Sequence, residues 1–314
     1  MSSRVAAAPL SFWDEEEASV LVAVALLLTV LLGFVGLVVD MGYLYLTRER
    51  EQHAAEAAAL AAVQALPETP DLARTLAFDY AERNGMPADG IAVDFSADYR
   101  RATVNVHQTV PLFFAPLLGI DSRVVVASAI AETGAVSSYN GAAPWGVQEQ
   151  PFIYGAQYEL KAGPQSTDPA PYTGNFGALA LGGTGADVYR DNLEHGYQGA
   201  IHVGDTLTTE PGNMAGPTAD GVRYRLEESP IQSRCTFEMA HEGCAEVVIM
   251  PVIGPYEGTG RTDVQVLGFA AFYLEGTIGG ASDQEVVGRF LRMVIDGGVG
   301  SGDDYGVRAE KLVG

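Results

Sequence analysis

Residues 18–39 read ASVLVAVALLLTVLLGFVGLVV, and no side chain in this stretch is charged. As an α-helix the stretch would measure about 33 Å, which is enough to cross the hydrocarbon core of a bilayer. Acidic residues at 14–17 precede it, and Asp40, Arg48 and Arg50 follow it. The buried helix of a soluble protein is rarely apolar on every face over this length. The stretch therefore predicts a transmembrane helix.

A cleaved secretory signal is the main alternative for such a segment near the N-terminus. That kind of signal has a basic start, a shorter apolar region and small residues at a cleavage site. Here the preceding residues are acidic, the apolar stretch is longer, and residues 38–43 read VVDMGY. We therefore predict a retained single-pass anchor in the plasma membrane, with the bilayer as its first partner.

Five residues of this region are candidates for anchoring and helix packing. Ser19, Gly33 and Gly36 are small, and small residues allow helices to approach closely in lipid. Asp40 follows the apolar stretch directly, where its carboxylate is expected to accept hydrogen bonds or to pair with a neighbour's arginine. Gly42 lies two residues further on.

The helix is expected to continue beyond the membrane, because residues 41–66 contain no proline and are rich in strong helix formers. Pro67 and Pro70 then end it. Alanines form a stripe in this second half. The stripe fits two arrangements equally well: a stalk that packs against other stalks, or a linker helix that lies on its own domain.

Two sequence blocks carry a resemblance to a known family. Residues 36–48 read GLVVDMGYLYLTR and residues 52–62 read QHAAEAAALAA. Together they resemble the N-terminal region of the TadE/TadG-like proteins of Flp (Tad) pilus assembly, which carry an apolar helix, a Val-Asp-x-Gly turn, an arginine and a Gln-x-Ala-Ala-Asp-Ala-Ala-Ala-Leu-Ala signature. The matching positions are Asp40, Gly42, Tyr45, Arg48, Gln52, Ala54, Ala55, Ala57, Ala58, Ala59 and Leu60.

The sequence departs from the family pattern at two positions. Glu56 replaces the usual aspartate, and Glu51 stands where an apolar residue is common. The glycine after which a prepilin peptidase would cut is also missing ahead of the anchor. The resemblance implies a pilin-like or assembly subunit with other Tad subunits as partners.

The rest of the chain predicts an α+β fold in several parts. We expect a disordered acidic N-tail (1–17), the transmembrane and stalk helix (18–66), a small α/β pilin-like unit (67–134), a β-rich extracytoplasmic domain (145–296) and a flexible tail (297–314). In the small unit, residues 71–84 predict a helix, and 91–96 and 101–110 alternate as the strands of a hairpin. An apolar segment at 111–120 and a strand at 123–132 follow. In the larger domain, residues 186–195 predict a helix, and 200–203 with 206–209 predict a second hairpin.

Composition and cysteines limit the function classes. The net charge of −22 argues against nucleic-acid binding, which needs a positive surface for phosphates. Cys235 and Cys244 are close enough for a local disulfide, which suits an oxidising compartment. A metal site is not indicated, because only His241 supplements the two cysteines and zinc sites use four ligands.

No catalytic motif stands out, and no cofactor is indicated. Residues 182–187 read GGTGAD, which lacks the lysine and hydroxyl residue of a phosphate-binding loop. His195, His202 and His241 have acidic neighbours, and Thr208 and Ser229 carry hydroxyls, but no Gly-x-Ser-x-Gly nucleophile motif exists. We therefore expect a structural protein and not an enzyme. The alternatives are an anchored extracellular hydrolase and a glycan- or peptide-binding module.

The two signals for membrane orientation disagree. Arg48 and Arg50 outnumber Arg4, and the positive-inside rule would then place the large C-terminal part in the cytoplasm. The family resemblance and the cysteine pair favour the opposite arrangement. We expect a cytoplasmic N-terminus and an extracytoplasmic C-terminal body.

Overall fold

The computed structural model describes residues 13–162, 173–212, 214–228, 235–255, 260–280 and 283–313. The fold is α+β, as predicted. The helices are α1 (Trp13–Val63), α2 (Pro70–Arg83), α3 (Ala186–His195) and α4 (Ala215–Arg223). The strands are β1 (Ile91–Phe95), β2 (Arg101–Pro111), β3 (Ser122–Asn140), β4 (Trp145–Gln148), β5 (Gln157–Ala162), β6 (Thr173–Ala178), β7 (Ala200–His202), β8 (Thr206–Thr208), β9 (Val247–Ile253), β10 (Asp263–Gly280), β11 (Asp283–Leu291), β12 (Met293–Val294), β13 (Gly298–Gly300) and β14 (Val307–Leu312).

Helix α1 combines an exposed apolar half with a half that has one buried face. Only 6% of its most apolar window is buried, so this window is not the core helix of a soluble domain. The buried face begins at Gly36 and continues along one side of the helix at spacings such as four and seven residues, which are one and two helical turns. Its further members are Asp40, Thr47, Glu51, Ala54, Ala55, Ala58 and Ala62.

The chain divides into two compact units. The first comprises residues 1–58, 77–93 and 104–129, and the second comprises 59–76, 94–103 and 130–314. Helices α1 and α2 and strands β1, β2 and β3 contribute residues to both. The boundaries expected at 67 and 134 stay predictions.

Seven strands form the first sheet. Its main order is β1-β2-β3-β14-β12, and β7 and β13 also pair with β3. The predicted hairpin of β1 and β2 is present, closed by a turn in which the Arg101 N–H and the Arg100 N–H both donate to the Ser96 hydroxyl (3.0 and 3.3 Å). The predicted apolar segment forms a short 3-10 turn over Ala115–Leu118.

The second sheet has the order β11-β5-β6-β4-β9-β10-β8, and β11 also pairs with β10. This extra pairing closes six strands into a ring. Gly288 lies at the closure, paired with Leu274 of β10. A Cβ atom on Gly288 would lie 2.1 Å from the carbonyl oxygen of Tyr273, so only glycine fits there without displacing the backbone.

Strand β9 is buried on both faces because its alternate side chains enter two different cores. Val248, Met250 and Val252 pack in one core with Trp145, Phe272 and Phe290, together with Tyr189 and Leu193 of α3. The Trp145 indole N–H donates to the Tyr189 hydroxyl (2.7 Å), which also bonds the Thr218 hydroxyl of α4 (2.8 Å). The other β9 side chains, Val247, Ile249 and Ile253, pack with Val136, Ile201, Phe269 and Val307.

Several predicted elements differ from those observed. Strands β7 and β8 do not form the predicted hairpin, because β7 pairs with β3 and β8 pairs with β10. The region predicted as a flexible tail contains β13 and β14, both hydrogen-bonded to β3. Helix α1 begins at Trp13, inside the tail predicted to be disordered, and residues 1–12 of that tail lie outside the described part. The helix also continues through Gly42, where the family pattern implied a turn.

Candidate functional site

The Asp40 carboxylate connects the end of the apolar helix segment to a distant loop. Its side chain is 3% exposed, and it accepts three backbone hydrogen bonds. The donors are the N–H groups of Phe113 (2.8 Å), Phe114 (3.0 Å) and Ala115 (2.7 Å). We call this arrangement the Asp40 clamp. It meets the expectation of a hydrogen-bonded carboxylate, but the donors come from the same chain and not from a neighbour's arginine.

The loop held by this clamp has a sequence that favours a tight turn. Residues 111–120 read PLFFAPLLGI. Pro116 lies in the first turn of the 3-10 segment, where a residue without an N–H is tolerated. Gly119 ends the turn with φ 82°, a left-handed conformation that glycine adopts at little cost. The clamp therefore satisfies the free N–H groups at the start of a short helical turn.

Two aromatic side chains of the loop pack on α1 around the clamp. A Cβ atom on Gly36 would lie 2.7 Å from the Phe114 ring, so the glycine allows this ring to contact the helix backbone. The rings of Tyr43 and Phe113 are 5.2 Å apart. Gly36 is thus used for packing, but within the chain.

The other predicted packing residues have different surroundings. A Cβ atom on Gly33 or on Gly42 would meet no heavy atom within 4 Å in this chain. Ser19 lies within α1. Gly33 is therefore a small residue of the apolar segment whose surface is open to another molecule.

The family signature on the second half of α1 makes contacts within the chain. The Gln52 amide donates to Glu56 (2.8 Å) and to the carbonyl oxygen of Ser128 on β3 (3.3 Å). Ala54, Ala55 and Ala58 are fully buried. Because one chain alone buries these alanines, the stripe serves a helix that lies on its own chain.

Glu51 is a buried carboxylate on the same face of α1. It is 1% exposed, and neither of its oxygens has a hydrogen-bond partner among the described residues. Sequence reasoning noted Glu51 only as a departure from the family pattern. Glu51 lies eleven residues, or three helical turns, after Asp40. This spacing indicates that both carboxylates lie on one face of α1.

The cysteine pair forms a disulfide. The Cα atoms of Cys235 and Cys244 are 5.8 Å apart, and the bond closes a short loop. His241 lies beside it, with its Nε2 atom 3.7 Å from the Cys235 sulfur. Sulfurs joined in a disulfide are not available as thiolate ligands for a metal.

The histidines considered as catalytic candidates have other partners. His195 contacts the Asp191 carboxylate (3.2 Å) and the Tyr224 hydroxyl (3.2 Å), whereas Glu194 lies near Arg190. His202 lies 3.5 Å from Asp205. The Thr208 hydroxyl donates to Asp263 (2.9 Å). Ser229 lies outside the described residues, and within them no hydrogen bond joins one of these histidines to a serine or threonine hydroxyl.

A cleft of about 600 Å³ is lined by Ser96, Asp98, Arg100, Arg101 and Glu132. The Asp98 carboxylate accepts a hydrogen bond from the Ser96 hydroxyl (2.6 Å). Glu132 accepts from Arg101 (2.9 Å) and lies 2.9 Å from the Lys311 amino group. Hydrogen bonds from Lys311 and then Arg101 lower the pKa of Glu132 below its ordinary value. A carboxylate held in its charged form by two cations is suited to joining strands and not to proton transfer.

Residues 18–65 match the model of the Tad family, described as Flp pilus-assembly TadE/G-like. This range contains the apolar segment, the Asp40 end of the clamp and the buried alanines. No curated protein and no solved structure matches this chain closely enough to count as a relative. The family match and the apolar helix together fit a membrane-anchored, pilus-associated protein.

Proposed function

We propose, on the premise that residues 18–65 match the TadE/G-like family, that this chain is a non-catalytic subunit of a Tad/Flp pilus or its assembly apparatus. The observation that carries the proposal is the coincidence of the family match with an exposed, uncharged helix segment. The protein acts by association. The helix anchors the chain in the membrane and packs laterally, and the folded part presents a surface to other subunits.

The proposed topology has a cytoplasmic N-terminus and an extracytoplasmic C-terminal body. The disulfide between Cys235 and Cys244 supports it, because disulfides form and persist in oxidising compartments. The arginines at 48 and 50 point the other way by the positive-inside rule. Protease treatment of intact cells decides between the two. We expect loss of the C-terminal body without lysis, and full protection until lysis would contradict the topology.

Fractionation tests the anchor itself. The full chain should sediment with membranes after an alkaline carbonate wash and should enter the supernatant only with detergent, because the apolar segment is long enough to span the bilayer. Release of the full chain by breaking the cells without detergent would contradict the proposal. Turnover of a hydrolase substrate by the purified full chain, abolished by changing one carboxylate or histidine, would contradict the non-catalytic role.

Gly33 provides the test of lateral packing. Gly33→Leu should reduce cross-linking to neighbouring subunits several-fold, because a leucine there prevents close approach of another helix in lipid. A Cβ atom on Gly33 would meet no heavy atom within 4 Å, so the substitution should leave the fold intact, whereas Gly36→Leu would also displace Phe114. The control is Val30→Leu, which enlarges an exposed side chain on the same segment. Equal cross-linking of the Gly33 variant and the control would contradict the packing role.

A further inference from the structure

The loop at residues 112–120 exposes large apolar side chains at its tip. Leu117 is 86% exposed, Leu118 is 68% exposed and Phe113 is 62% exposed. Folded domains seldom leave several neighbouring side chains of this size in water, because their burial is favourable. This apolar tip therefore needs a covering partner.

The depth of the tip follows from its contacts with α1. The Asp40 clamp holds residues 113–115 at the end of the uncharged segment. Phe114 reaches Gly36, which lies one helical turn, about 6 Å, further inside that segment. A bilayer that contains residues 18–39 therefore also reaches Phe114 of this loop.

The loop backbone is suited to an environment without water. In hydrocarbon an unsatisfied N–H group costs several kcal/mol, so irregular backbone must find its partners within the chain. The Asp40 clamp takes three of these groups, and the N–H groups of Leu112, Leu117, Gly119 and Ile120 donate to backbone carbonyls within residues 112–121. Pro116 has no N–H to satisfy.

We propose that residues 112–120 form a second membrane contact, which inserts Phe113, Phe114, Leu117 and Leu118 into the leaflet beside the end of the anchor. The occupant of this surface is lipid, since the tip is continuous with the apolar segment of α1. Tyr43 and Tyr45 follow Asp40 by three and five residues on the helix, and aromatic side chains typically mark the membrane interface. The inference rests on the proposed membrane anchor. It adds that the folded part is held against the bilayer at two points.

The test places one fluorophore at a time on the full chain in vesicles of phosphatidylcholine and phosphatidylglycerol. Three single-cysteine variants carry an environment-sensitive dye: Leu117→Cys at the tip, Leu28→Cys in the anchor and Asp89→Cys on an exposed turn of the same unit. The native cysteines are joined in a disulfide and stay unlabelled without reductant. Quenching is measured with nitroxides on lipid acyl chains and with aqueous iodide.

We expect acyl-chain nitroxides to quench the dyes at residues 28 and 117 several-fold more than the dye at residue 89, with the opposite order for iodide. Adding Asp40→Ala to the residue 117 variant should reduce lipid quenching there, because the loop loses its attachment. If the residue 28 dye is quenched by lipid but the residue 117 dye behaves like the residue 89 dye, the loop inference is wrong and the anchor stands. If the residue 28 dye is not quenched by lipid, the anchor fails as well. A third outcome is that the residue 117 dye is shielded from iodide but is not quenched by lipid, and that this shielding disappears at one copy of the protein per vesicle. A second copy would then cover the tip, and the inference would be wrong.

Discussion

Asp40 places a carboxylate beside a segment of 22 uncharged residues, a position at which an unpaired charge would be costly. The hydrogen bonds that it accepts from three backbone N–H groups offset that cost. Those groups would otherwise lack partners, since they lie at the start of a short turn. The carboxylate and the turn thus satisfy each other, and an interaction between residues 73 to 75 positions apart fixes the loop on the helix.

Removing the clamp should loosen the loop. Asp40→Ala is expected to lower the thermal midpoint of the full chain in detergent and to speed proteolysis within residues 112–120, because three N–H groups lose their acceptor. Asp40→Asn keeps one acceptor oxygen and should give a smaller effect. Asp89→Ala, an exposed aspartate of the same unit, is the control. Proteolysis of the Asp40→Ala loop at the control rate would contradict the role of the clamp.

The sequence indicated Asp40 but not its donors. A carboxylate after an apolar stretch is a local signal that one residue carries by itself. The N–H groups of Phe113, Phe114 and Ala115 have no side-chain signature, so their meeting with Asp40 depends on how β2 and β3 place the loop. For the same reason Gly36 was predicted to pack against another helix in lipid, while its contact with Phe114 of the same chain was not predicted.

At the level of the elements, closure of the strand ring depends on glycine at position 288. Strand β11 pairs with β5 on one side and with β10 on the other. The Tyr273 carbonyl and the Phe272 ring occupy the space beside Gly288. Phe272 is fully buried, so its ring has little room to move.

Gly288→Ala should therefore destabilise the second unit by about 1–3 kcal/mol, the usual cost of forcing extra atoms into a packed site. Gly216→Ala is the matched control. Gly216 lies in α4, where a Cβ atom would meet no heavy atom within 4 Å. Alanine is the better helix former by about 1 kcal/mol, so this variant should be unchanged or more stable. Chemical denaturation of both variants measures the difference, and equal stability would contradict the packing argument.

Local patterns predicted elements better than pairings. Helix α3 has the predicted bounds, and β1 and β2 follow their alternation closely, because these signals lie within a few residues. Strands β7 and β8 also lie within the predicted segments, but their neighbours are β3 and β10. Nothing within residues 200–209 specifies those partners. Strand β14 was missed because charged residues alternate along it, and its pairing with β3 depends on residues about 180 positions earlier.

At the scale of the molecule, ion pairs connect the last strand to earlier parts of the second unit. Arg308 on β14 pairs with Glu68 and with Asp304, and Lys311 pairs with Glu132. Hydrogen bonds from the Arg308 side chain lower the pKa of Glu68, as those from Lys311 and Arg101 lower the pKa of Glu132. Both glutamates are only partly buried, so each contribution to stability is modest.

The sign of the pH dependence follows from these lowered pKa values. The contribution of each glutamate is present above its ordinary pKa of 4.5 and is lost as the pH falls through the lower value in the folded state. Stability of the full chain should therefore decrease on acidification below about pH 5. Glu132→Gln should flatten this dependence, whereas Glu82→Gln, which removes a charge from an exposed position on α2, should not. The measurement is the denaturant midpoint at a series of pH values. An equal pH dependence of this midpoint in both variants would contradict the role given to Glu132.

The closed arrangement of six strands limits how copies of this chain can join. Within the described residues each of the six strands pairs with two others, so the ring leaves less open strand edge for an incoming strand than an open sheet does. Growth of a fibre by β-addition at this site is thereby disfavoured. Self-assembly of this subunit would then proceed through side-chain surfaces, through its anchor in the lipid, or at the end strands of the first sheet, β1 and β12.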